Sequence, residues 1–345
     1  MDTITTMAIN DVPVSVSLDQ LQHGIDNETL EKAFGPTSLG IIIVRNLPHE
    51  FQSLRQRVLT SASILANLDQ EELEKLECEE ALWLVGWSRG REKLATSSLP
   101  DFKKGSFYMN CAFHKDSKLE GPEPKLTKKY PNYKPYTAPN IWPHNDALKY
   151  FERDCKALCS LIIDVAGSVA RACDKYIERI YQDYEQNYLQ KIVQNSTCTK
   201  ARLLHYFPMT EEDSSESLDD WCGEHLDHSC LTGLTSALFL DESKGLTHTL
   251  ESSPDPQAGL YIKNRDNEIV KVNIPADCLA FQSGSALQEI SKGKFKAVPH
   301  YVRGTKKPHI ARNTLAVFCQ PNLDAMINEK EDFAEYSERI LRNNH

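Results

Sequence analysis

Residues 221–235 read WCGEHLDHSCLTGLT, and this stretch decides how the second half of the chain is interpreted. His225 and Asp227 are separated by one residue, at the mouth of a segment that has the pattern of a β-strand. Side chains two residues apart along a strand point to the same face. An imidazole and a carboxylate aimed at one point suggest a metal site, which needs a third ligand from elsewhere in the chain.

The third ligand is expected on a later strand that folds back beside the first. Among the eleven histidines of the chain, His300 fits, because it lies inside the strand-like segment AVPHYV. His309 lies in a Lys-Lys-Pro turn and fits poorly. His228 directly follows Asp227 and should point to the opposite face, so we interpret it as a surface residue or a residue that supports a ligand. Two imidazoles and one carboxylate suit non-haem Fe(II), but Zn²⁺ accepts the same donors.

A second pair of polar residues follows His300. Arg312 comes twelve residues after His300, and Thr314 opens another apolar strand. An arginine and a hydroxyl residue two apart on a strand point into the same cavity, where they can form a receptor for a carboxylate. The alternative is an Arg–Thr pair on a solvated strand face.

The second half of the chain has the pattern of an all-β domain. After Arg202 the sequence changes to short apolar runs that are separated by turn signals such as Asn264–Asn267 and Ser283–Gly284. Many short strands at this spacing indicate a sandwich or barrel and not a parallel sheet with crossover helices. The predicted strands are 203–207, 231–241, 259–264, 268–273, 278–284, 296–302 and 313–321. The acidic stretch TEEDSSESLDD (210–220) is predicted to be a loop.

The first half is predicted to be mixed in structure. The run LGIIIVRNLP (39–48) indicates a buried strand, and residues 145–185 carry apolar side chains at helical spacing along one face. Six prolines between residues 114 and 143 exclude long regular structure there. This segment is either a loop over a pocket or a surface connector. We therefore expect an N-terminal mixed α/β region (1–190) with a long packing helix and a pocket-covering loop, and a β core (191–345) with a C-terminal helix.

Charge and composition exclude several classes of function. The chain of 345 residues has a net charge of −10, which argues against binding to nucleic acid or anionic membranes. We find no secretory signal, no apolar run long enough to cross a membrane, no Gly-rich phosphate loop and no GxSxG motif. The ten cysteines form no CxxC pair and are expected to be reduced and mostly buried. These features favour a cytoplasmic protein that handles small molecules.

Six segments in order give the chain a resemblance to a known family. It resembles the Fe(II)- and 2-oxoglutarate-dependent dioxygenases, in the branch that includes isopenicillin N synthase and the plant flavonoid, gibberellin and ethylene-forming oxidases. The segments are AFGPTSLGIIIVRNLP (33–48), RLLHYFP (202–208), GEHLDHSCLTGLT (223–235), GLYIKN (259–264), IPADCLAFQSGSALQEISKGKFKAVPH (274–300) and ARNTLAVFCQP (311–321). The resemblance runs along nearly the whole chain, and six segments in the right order are far more specific than any one motif.

The resemblance implies a fold, a reaction and a set of site residues. The implied fold is mainly β with flanking helices, around a double-stranded β-helix (jelly roll) core. His225, Asp227 and His300 would hold Fe(II), and no catalytic residue beyond the metal ligands is implied. Arg312 and Thr314 would bind the far carboxylate of 2-oxoglutarate, with Tyr206 as a further cosubstrate contact. Such an enzyme is an oxidoreductase that uses O₂ and oxidises a small molecule, typically by hydroxylation, with release of succinate and CO₂; ascorbate is a further cofactor that the resemblance allows.

The sequence departs from the family pattern at three places. The usual serine is Thr314, which keeps the hydroxyl, and the spacing from His300 to Arg312 is longer, so the Gly304–Pro308 turn is expected to absorb the difference. The strand that often reads Asn-Tyr-Tyr reads His205–Tyr206–Phe207. His205 and Phe207 would then occupy the positions that help to place the cosubstrate in relatives.

Two other functions remain open from the sequence. One is a non-catalytic binding protein that retains the fold, and the other is a zinc-dependent hydrolase that uses the same three ligands. We expect a monomer. Loops within 84–143 and a C-terminal helix around 323–342 are expected to shape the substrate pocket. Five residues are expected either to line this pocket or to pack in the core: Trp83, Trp87, Phe107, Tyr108 and Asn110.

Overall fold

The computed structural model describes residues 12–92, 100–209 and 222–344. The predicted acidic loop at 210–220 lies outside these residues. The strands are β1 (Val14–Ser17), β2 (Ile41–Arg45), β3 (Gly86–Arg89), β4 (Lys104–Asn110), β5 (Lys200–Tyr206), β6 (Cys222–His225), β7 (Leu231–Thr235), β8 (Leu238–Asp241), β9 (Thr249–Leu250), β10 (Gly259–Lys263), β11 (Ile269–Val272), β12 (Leu279–Ser283), β13 (His300–Arg303) and β14 (Ile310–Cys319). The helices are α1 (Leu18–His23), α2 (Asn27–Phe34), α3 (Phe51–Ala66), α4 (Gln70–Glu74), α5 (Pro124–Lys129), α6 (Lys134–Thr137), α7 (Phe151–Ile180), α8 (Tyr188–Asn195), α9 (Ser285–Ile290) and α10 (Phe333–Asn344).

The strands form two sheets. The major sheet has the order β1-β2-β12-β7-β14-β5-β4-β3, with β8 and β9 attached through β14, and the minor sheet has the order β11-β10-β13-β6. Apart from the parallel pair of β1 and β2, the strand pairs are antiparallel. The predicted fold class, mainly β with flanking helices around a jelly-roll core, is confirmed.

Strand β14 shows how the major sheet separates two environments. Asn313, Leu315 and Val317 are buried, and Leu315 and Val317 belong to the core beneath helices α3 and α7. The alternate residues Arg312, Thr314 and Phe318 line a cavity between the two sheets. Because the side-chain period of a strand is two, one ten-residue strand supplies both the helix-covered core and the cavity wall.

The run Ile41–Val44 is buried on both faces. Ile42 and Val44 pack in the core that contains the helices, whereas Ile41 and Ile43 pack in a second cluster between the sheets. This explains why the sequence shows a continuous apolar run here and not an alternating one.

The N-terminal half contributes strands directly to the major sheet. β1 to β4 come from residues before 190, and β4 pairs with β5 over seven residues from Lys104–Tyr206 to Asn110–Lys200. One sheet thus takes strands from both sides of residue 190, and a division of the chain into 1–190 and 191–345 stays a prediction. The two strands β3 and β4 were not predicted from the sequence.

The other elements agree with the sequence patterns. Helix α7 buries one face along its 30 residues, including Cys155 and Cys159. Apart from Cys222, the nine cysteines of the described residues are free, and eight of these nine are buried. The proline-rich segment contains only the short helices α5 and α6, and the C-terminal helix begins at Phe333, ten residues later than expected. No helix among the described residues is long and apolar enough to cross a membrane.

The close contact between β7 and α7 at Gly233 gives a stability prediction. A Cβ atom at Gly233 would lie 2.4 Å from Cγ2 of Ile162, so Gly233→Ala must push the helix from the sheet. We expect the free energy of unfolding in urea to fall by about 1–3 kcal/mol, which is typical of overpacking in a core. At Gly121 the nearest atom to a Cβ lies at 3.5 Å, an ordinary contact. Gly121→Ala is therefore the matched control, and equal destabilisation by the two variants would contradict this account of the packing.

Candidate metal centre

The structure brings the three predicted metal ligands together. His225 ends β6, Asp227 follows two residues later, and His300 begins β13 directly opposite His225 in the antiparallel pair β6–β13. One ligand atom from each side chain lies within 4.8 Å of the other two. Nε2 of His225 is 3.6 Å from Oδ1 of Asp227, and Nε2 of His300 is 3.8 Å from the same oxygen. Asp227 and His300 are buried, whereas His225 is exposed.

The hydrogen bonds of the two histidines favour metal binding through Nε2. Nδ1 of His225 donates to the carbonyl oxygen of Gly223 (2.7 Å), which keeps the proton on Nδ1 and directs the Nε2 lone pair to the centre. Nδ1 of His300 lies 3.3 Å from the carbonyl oxygen of Val298, which can accept its proton, and 2.7 Å from the amide nitrogen Nε2 of Gln282. Contacts of this kind fix the tautomer and ring orientation of histidine ligands.

The electrostatics of the centre also fit a cation. Burial lowers the pKa of His300 to about 4, so its imidazole is neutral at pH 7 and available as a ligand. Burial alone would raise the pKa of Asp227, but the neighbouring His300 and His225 and a hydrogen bond from Thr232 hold it below its ordinary value. A buried, ionised carboxylate beside two imidazoles is a donor set that suits a divalent metal ion.

A buried unpartnered oxygen supports the same assignment. Oε1 of Gln282 has no hydrogen-bond partner within the described part of the chain. A half-turn of this amide places Oε1 beside Nδ1 of His300, where it accepts the proton that Nδ1 must carry when Nε2 binds a metal. The residues present therefore fit a metal ion at this position.

Two cavities meet at the centre. The inner cavity, of about 90 Å³, lies between the sheets and is lined by residues that include Tyr206, Arg312 and Thr314. The outer cavity, of about 410 Å³, is lined by residues that include Trp83, Tyr108 and Tyr136. His225, Asp227, Arg202 and Phe318 line both. A molecule in either cavity would thus lie beside the same two candidate metal ligands.

The predicted carboxylate receptor faces the inner cavity. Arg312 is only 5% exposed, and its guanidinium lies 5.0 Å from the ring centre of Tyr206, the residue that pairs with it across β14 and β5. Thr314 lies two residues further along the same face. The 304–309 turn between β13 and β14 separates Arg312 from His300, as the longer spacing in the sequence required.

The expectation for His205 and Phe207 was wrong. His205 points away from the cavity: its ring is 1% exposed and its Nδ1 lies 2.8 Å from Oδ1 of Asn313, on the helix-covered face of the sheet. The residues of β5 that line the inner cavity are Arg202, Leu204 and Tyr206. Phe207, two residues after His205, does not line the inner cavity either, because side chains two apart along a strand share one face.

The remaining predicted residues divide between the cavity and the core. Trp83 and Tyr108 line the outer cavity, whereas Trp87 and Phe107 are buried in the core. His228 lines the outer cavity, where its Nε2 lies 3.0 Å from the hydroxyl of Tyr136 and its ring stacks on Phe333. Lys200 and Gln320 also line the outer cavity and were not predicted from the sequence. Lys200 lies two residues before Arg202 on β5, so the two side chains point to the same face.

The chain resembles known proteins in three-dimensional structure but not in sequence. No protein-family model and no curated protein matches the chain in sequence. A Neurospora crassa protein in complex with alpha-KG and thymine aligns with a TM-score of 0.70 and 19% identity, over 98% of this chain and 99% of that one. A Caulobacter crescentus protein assigned to the 2OG-Fe(II) oxygenase family aligns with a TM-score of 0.68 and 16% identity, over 96% and 99%. DAO of rice, a dioxygenase for auxin oxidation, aligns with a TM-score of 0.60 and 16% identity, over 97% and 96%. The chain has the fold of the 2OG-Fe(II) oxygenases.

The three-residue centre predicts one metal site for each chain. We expect anaerobic titration with Mn²⁺, followed by electron paramagnetic resonance of the free ion, to give one tight site in the wild type. Asp227→Ala should abolish that site, because it removes the charged ligand of the set. His228→Gln is the matched control, since it changes the neighbouring residue of the same motif but should leave the affinity for Mn²⁺ nearly unchanged. Tight binding by Asp227→Ala would show that the ion binds elsewhere.

Proposed function

We propose that this protein, which has the fold of the 2OG-Fe(II) oxygenases, is an Fe(II)- and 2-oxoglutarate-dependent oxygenase that acts on a small organic molecule. The observation that carries the proposal is the convergence of His225, Asp227 and His300 at the junction of two cavities. Two imidazoles and one carboxylate on one side of an ion leave positions open for a chelating cosubstrate and O₂. When bound, the iron supplies the chemistry that couples decarboxylation of 2-oxoglutarate to oxidation of the substrate.

The protein's own groups would bind and orient the cosubstrate. The inner cavity places Arg312 behind the metal ligands, and a guanidinium can bind a carboxylate through two parallel hydrogen bonds. Thr314 would add a hydroxyl donor and Tyr206 would flank the guanidinium. 2-Oxoglutarate has the required shape, because its keto-acid end chelates a metal while its other carboxylate remains free for Arg312.

The outer cavity would hold the molecule that is oxidised. Its volume of about 410 Å³ is in the range of pockets for small-molecule ligands, and its walls combine aromatic and apolar side chains with many charged and polar ones. The substrate would lie beside His225 and Asp227 without competing for the inner cavity. The Neurospora crassa protein, which shares the fold, is seen with thymine and alpha-KG bound together. We propose hydroxylation as the outcome, with one oxygen atom of O₂ entering the product and the other entering succinate.

The reaction predicts succinate formation that depends on both O₂ and the metal ligands. The wild-type protein, loaded with Fe(II) and supplied with 2-oxoglutarate and air, should release succinate even without its substrate, at a slow uncoupled rate measured by mass spectrometry. His225→Ala and Asp227→Ala should reduce this release to the level of free iron. Succinate release that persists without O₂, or that is unchanged in these variants, would contradict the proposal. If the protein were instead a zinc hydrolase, its activity would not depend on O₂.

The receptor for the cosubstrate gives a graded prediction. Arg312→Met should raise the Kd for 2-oxoglutarate about 30-fold or more, because loss of one partner of a buried, hydrogen-bonded charge pair costs about 2–5 kcal/mol. Thr314→Val should raise it about 2- to 10-fold, as expected for one net hydrogen bond of about 0.5–1.5 kcal/mol. Calorimetry with the Mn²⁺-loaded protein measures both values.

Arg303→Met is the matched control for Arg312→Met. Arg303 ends β13, and its guanidinium covers the rings of Tyr261 and Tyr301. These two tyrosines lie on the face of the minor sheet that points away from the cavity, because they alternate with the cavity residues Leu260 and Val302. Loss of Arg303 should leave the Kd unchanged. If Arg303→Met and Arg312→Met raised the Kd for 2-oxoglutarate equally, Arg312 would not be the specific receptor for its carboxylate.

A further inference from the structure

The outer cavity contains a buried lysine whose environment differs from that of the other cavity cations. Lys200 is 5% exposed and lines the cavity from β5. Its Nζ donates to Oδ1 of Asn110 (2.8 Å) and to the carbonyl oxygen of Pro135 (2.9 Å). Both acceptors are neutral, and an ammonium group has three donors. No carboxylate lies within 4.0 Å of Lys200 in the described ranges 12–92, 100–209 and 222–344.

The other cations of the cavity wall are compensated. Lys104 lies 2.9 Å from Glu92 and 3.2 Å from Asp101, and Arg202 forms an ion pair with Glu92. Arg91 lies 3.0 Å from Glu77. A buried charge without a counterion loses its hydration without compensation. Among the cations of the described wall, Lys200 is therefore the one whose burial a bound anion would compensate most.

The groups around Lys200 form a polar subsite with an aromatic wall. Nζ lies 5.4 Å from the ring centre of Tyr136. The hydroxyl of Tyr136 lies 3.0 Å from Nε2 of His228 and 3.4 Å from Oε1 of Gln320, and all three residues line the cavity. Trp83, Tyr108 and Phe318 line the same cavity and can cover an aromatic or alicyclic body. His228 directly follows Asp227 in the chain, and both residues line this cavity.

We propose that Lys200 is a substrate-binding residue that receives a carboxylate, and that the substrate of the outer cavity is a small aromatic or alicyclic acid. This inference rests on the proposed function for the position of the substrate, and it adds the chemical class of that substrate. Burial lowers the pKa of Lys200 to about 7 in the absence of an anion. A carboxylate beside Nζ would stabilise the ammonium form and supply the acceptor for its third N–H.

A purely structural role for Lys200 makes a different prediction. Lys200 connects β4, through Asn110, to the carbonyl of Pro135 in α6. If this connection is its only role, its loss lowers stability but does not change the preference of the cavity for acids over neutral molecules. The selectivity between an acid and its amide therefore separates the two roles.

The test uses matched acids and amides as probes. Phenylacetate, 3-phenylpropionate and 2-naphthylacetate are each compared with the corresponding primary amide, by calorimetry with the Mn²⁺- and 2-oxoglutarate-loaded protein at pH 7. We expect at least one acid to bind at least about tenfold more tightly than its amide, because a charge-assisted hydrogen bond replaces a neutral one. Lys200→Met should remove this preference by weakening only the acid.

A second variant keeps Lys200 but gives its ammonium group a carboxylate partner within the protein. Asn110→Asp places a carboxylate at the oxygen that now lies 2.8 Å from Nζ, and it should also abolish the preference for the acid. Circular dichroism and cooperative melting establish that each variant is folded. Equal binding of acid and amide by the wild type, absence of binding by all three acids, or an unchanged preference in folded Lys200→Met would overturn the proposal.

Failure of this inference and failure of the proposed function give different results. Succinate formation that depends on Asp227, without Lys200-dependent binding of acids, would leave the oxygenase assignment intact and remove the substrate class. Lys200-dependent binding of acids by a protein that forms no succinate would support the subsite in a binding protein and remove the oxygenase assignment.

Discussion

The pairing of β6 with β13 is the constraint on which the candidate site depends. His300 lies directly opposite His225 in this pair, and their ring centres are 4.3 Å apart. A one-residue slip between the strands would turn one of the two imidazoles to the other face of the minor sheet. Asp227 then needs only the short turn after β6 to bring its carboxylate within 4 Å of both rings. The register of one short strand pair therefore sets the ligand geometry, and the major sheet holds Arg312 behind it.

Strand periodicity accounts for much of what was predictable from the sequence. The H-x-D spacing predicted two side chains on one face, and the Arg-x-Thr spacing predicted two more. In the structure the first pair lies at the candidate metal centre and the second pair lines the inner cavity. The sequence could not fix the parity of β5, because its apolar and polar residues do not alternate strictly. His205 forms a hydrogen bond with Asn313 on the helix-covered face, and this contact joins residues that are 108 apart in the sequence. With His205 on that face, the next residue, Tyr206, points to the cavity. β3 and β4 were missed for a related reason, since Gly86, Gly105 and several polar residues weaken their strand pattern.

The two cavities differ in the way their charges are balanced. In the inner cavity a buried guanidinium faces the metal ligands from the major sheet, an arrangement that suits an anion which bridges the two. The outer cavity contains Lys104 and Arg202, which are compensated by Glu92 and Asp101, and Lys200, whose hydrogen-bond acceptors are neutral. Because an uncompensated buried charge is costly, we propose that each cavity binds an acid at its own cation, Arg312 in the inner cavity and Lys200 in the outer one. Under the proposed function, the cosubstrate and the substrate would occupy separate cavities that are both lined by His225 and Asp227.

A crystal structure of the protein grown without O₂, with Mn²⁺ and 2-oxoglutarate, tests the central claim most directly. The account predicts one metal ion bound by Nε2 of His225, a carboxylate oxygen of Asp227 and Nε2 of His300, with 2-oxoglutarate chelating the ion and its far carboxylate on Arg312. Anomalous scattering from manganese identifies the ion independently of the protein density. A metal ion bound elsewhere, or a 2-oxoglutarate molecule that does not contact Arg312, would contradict the account.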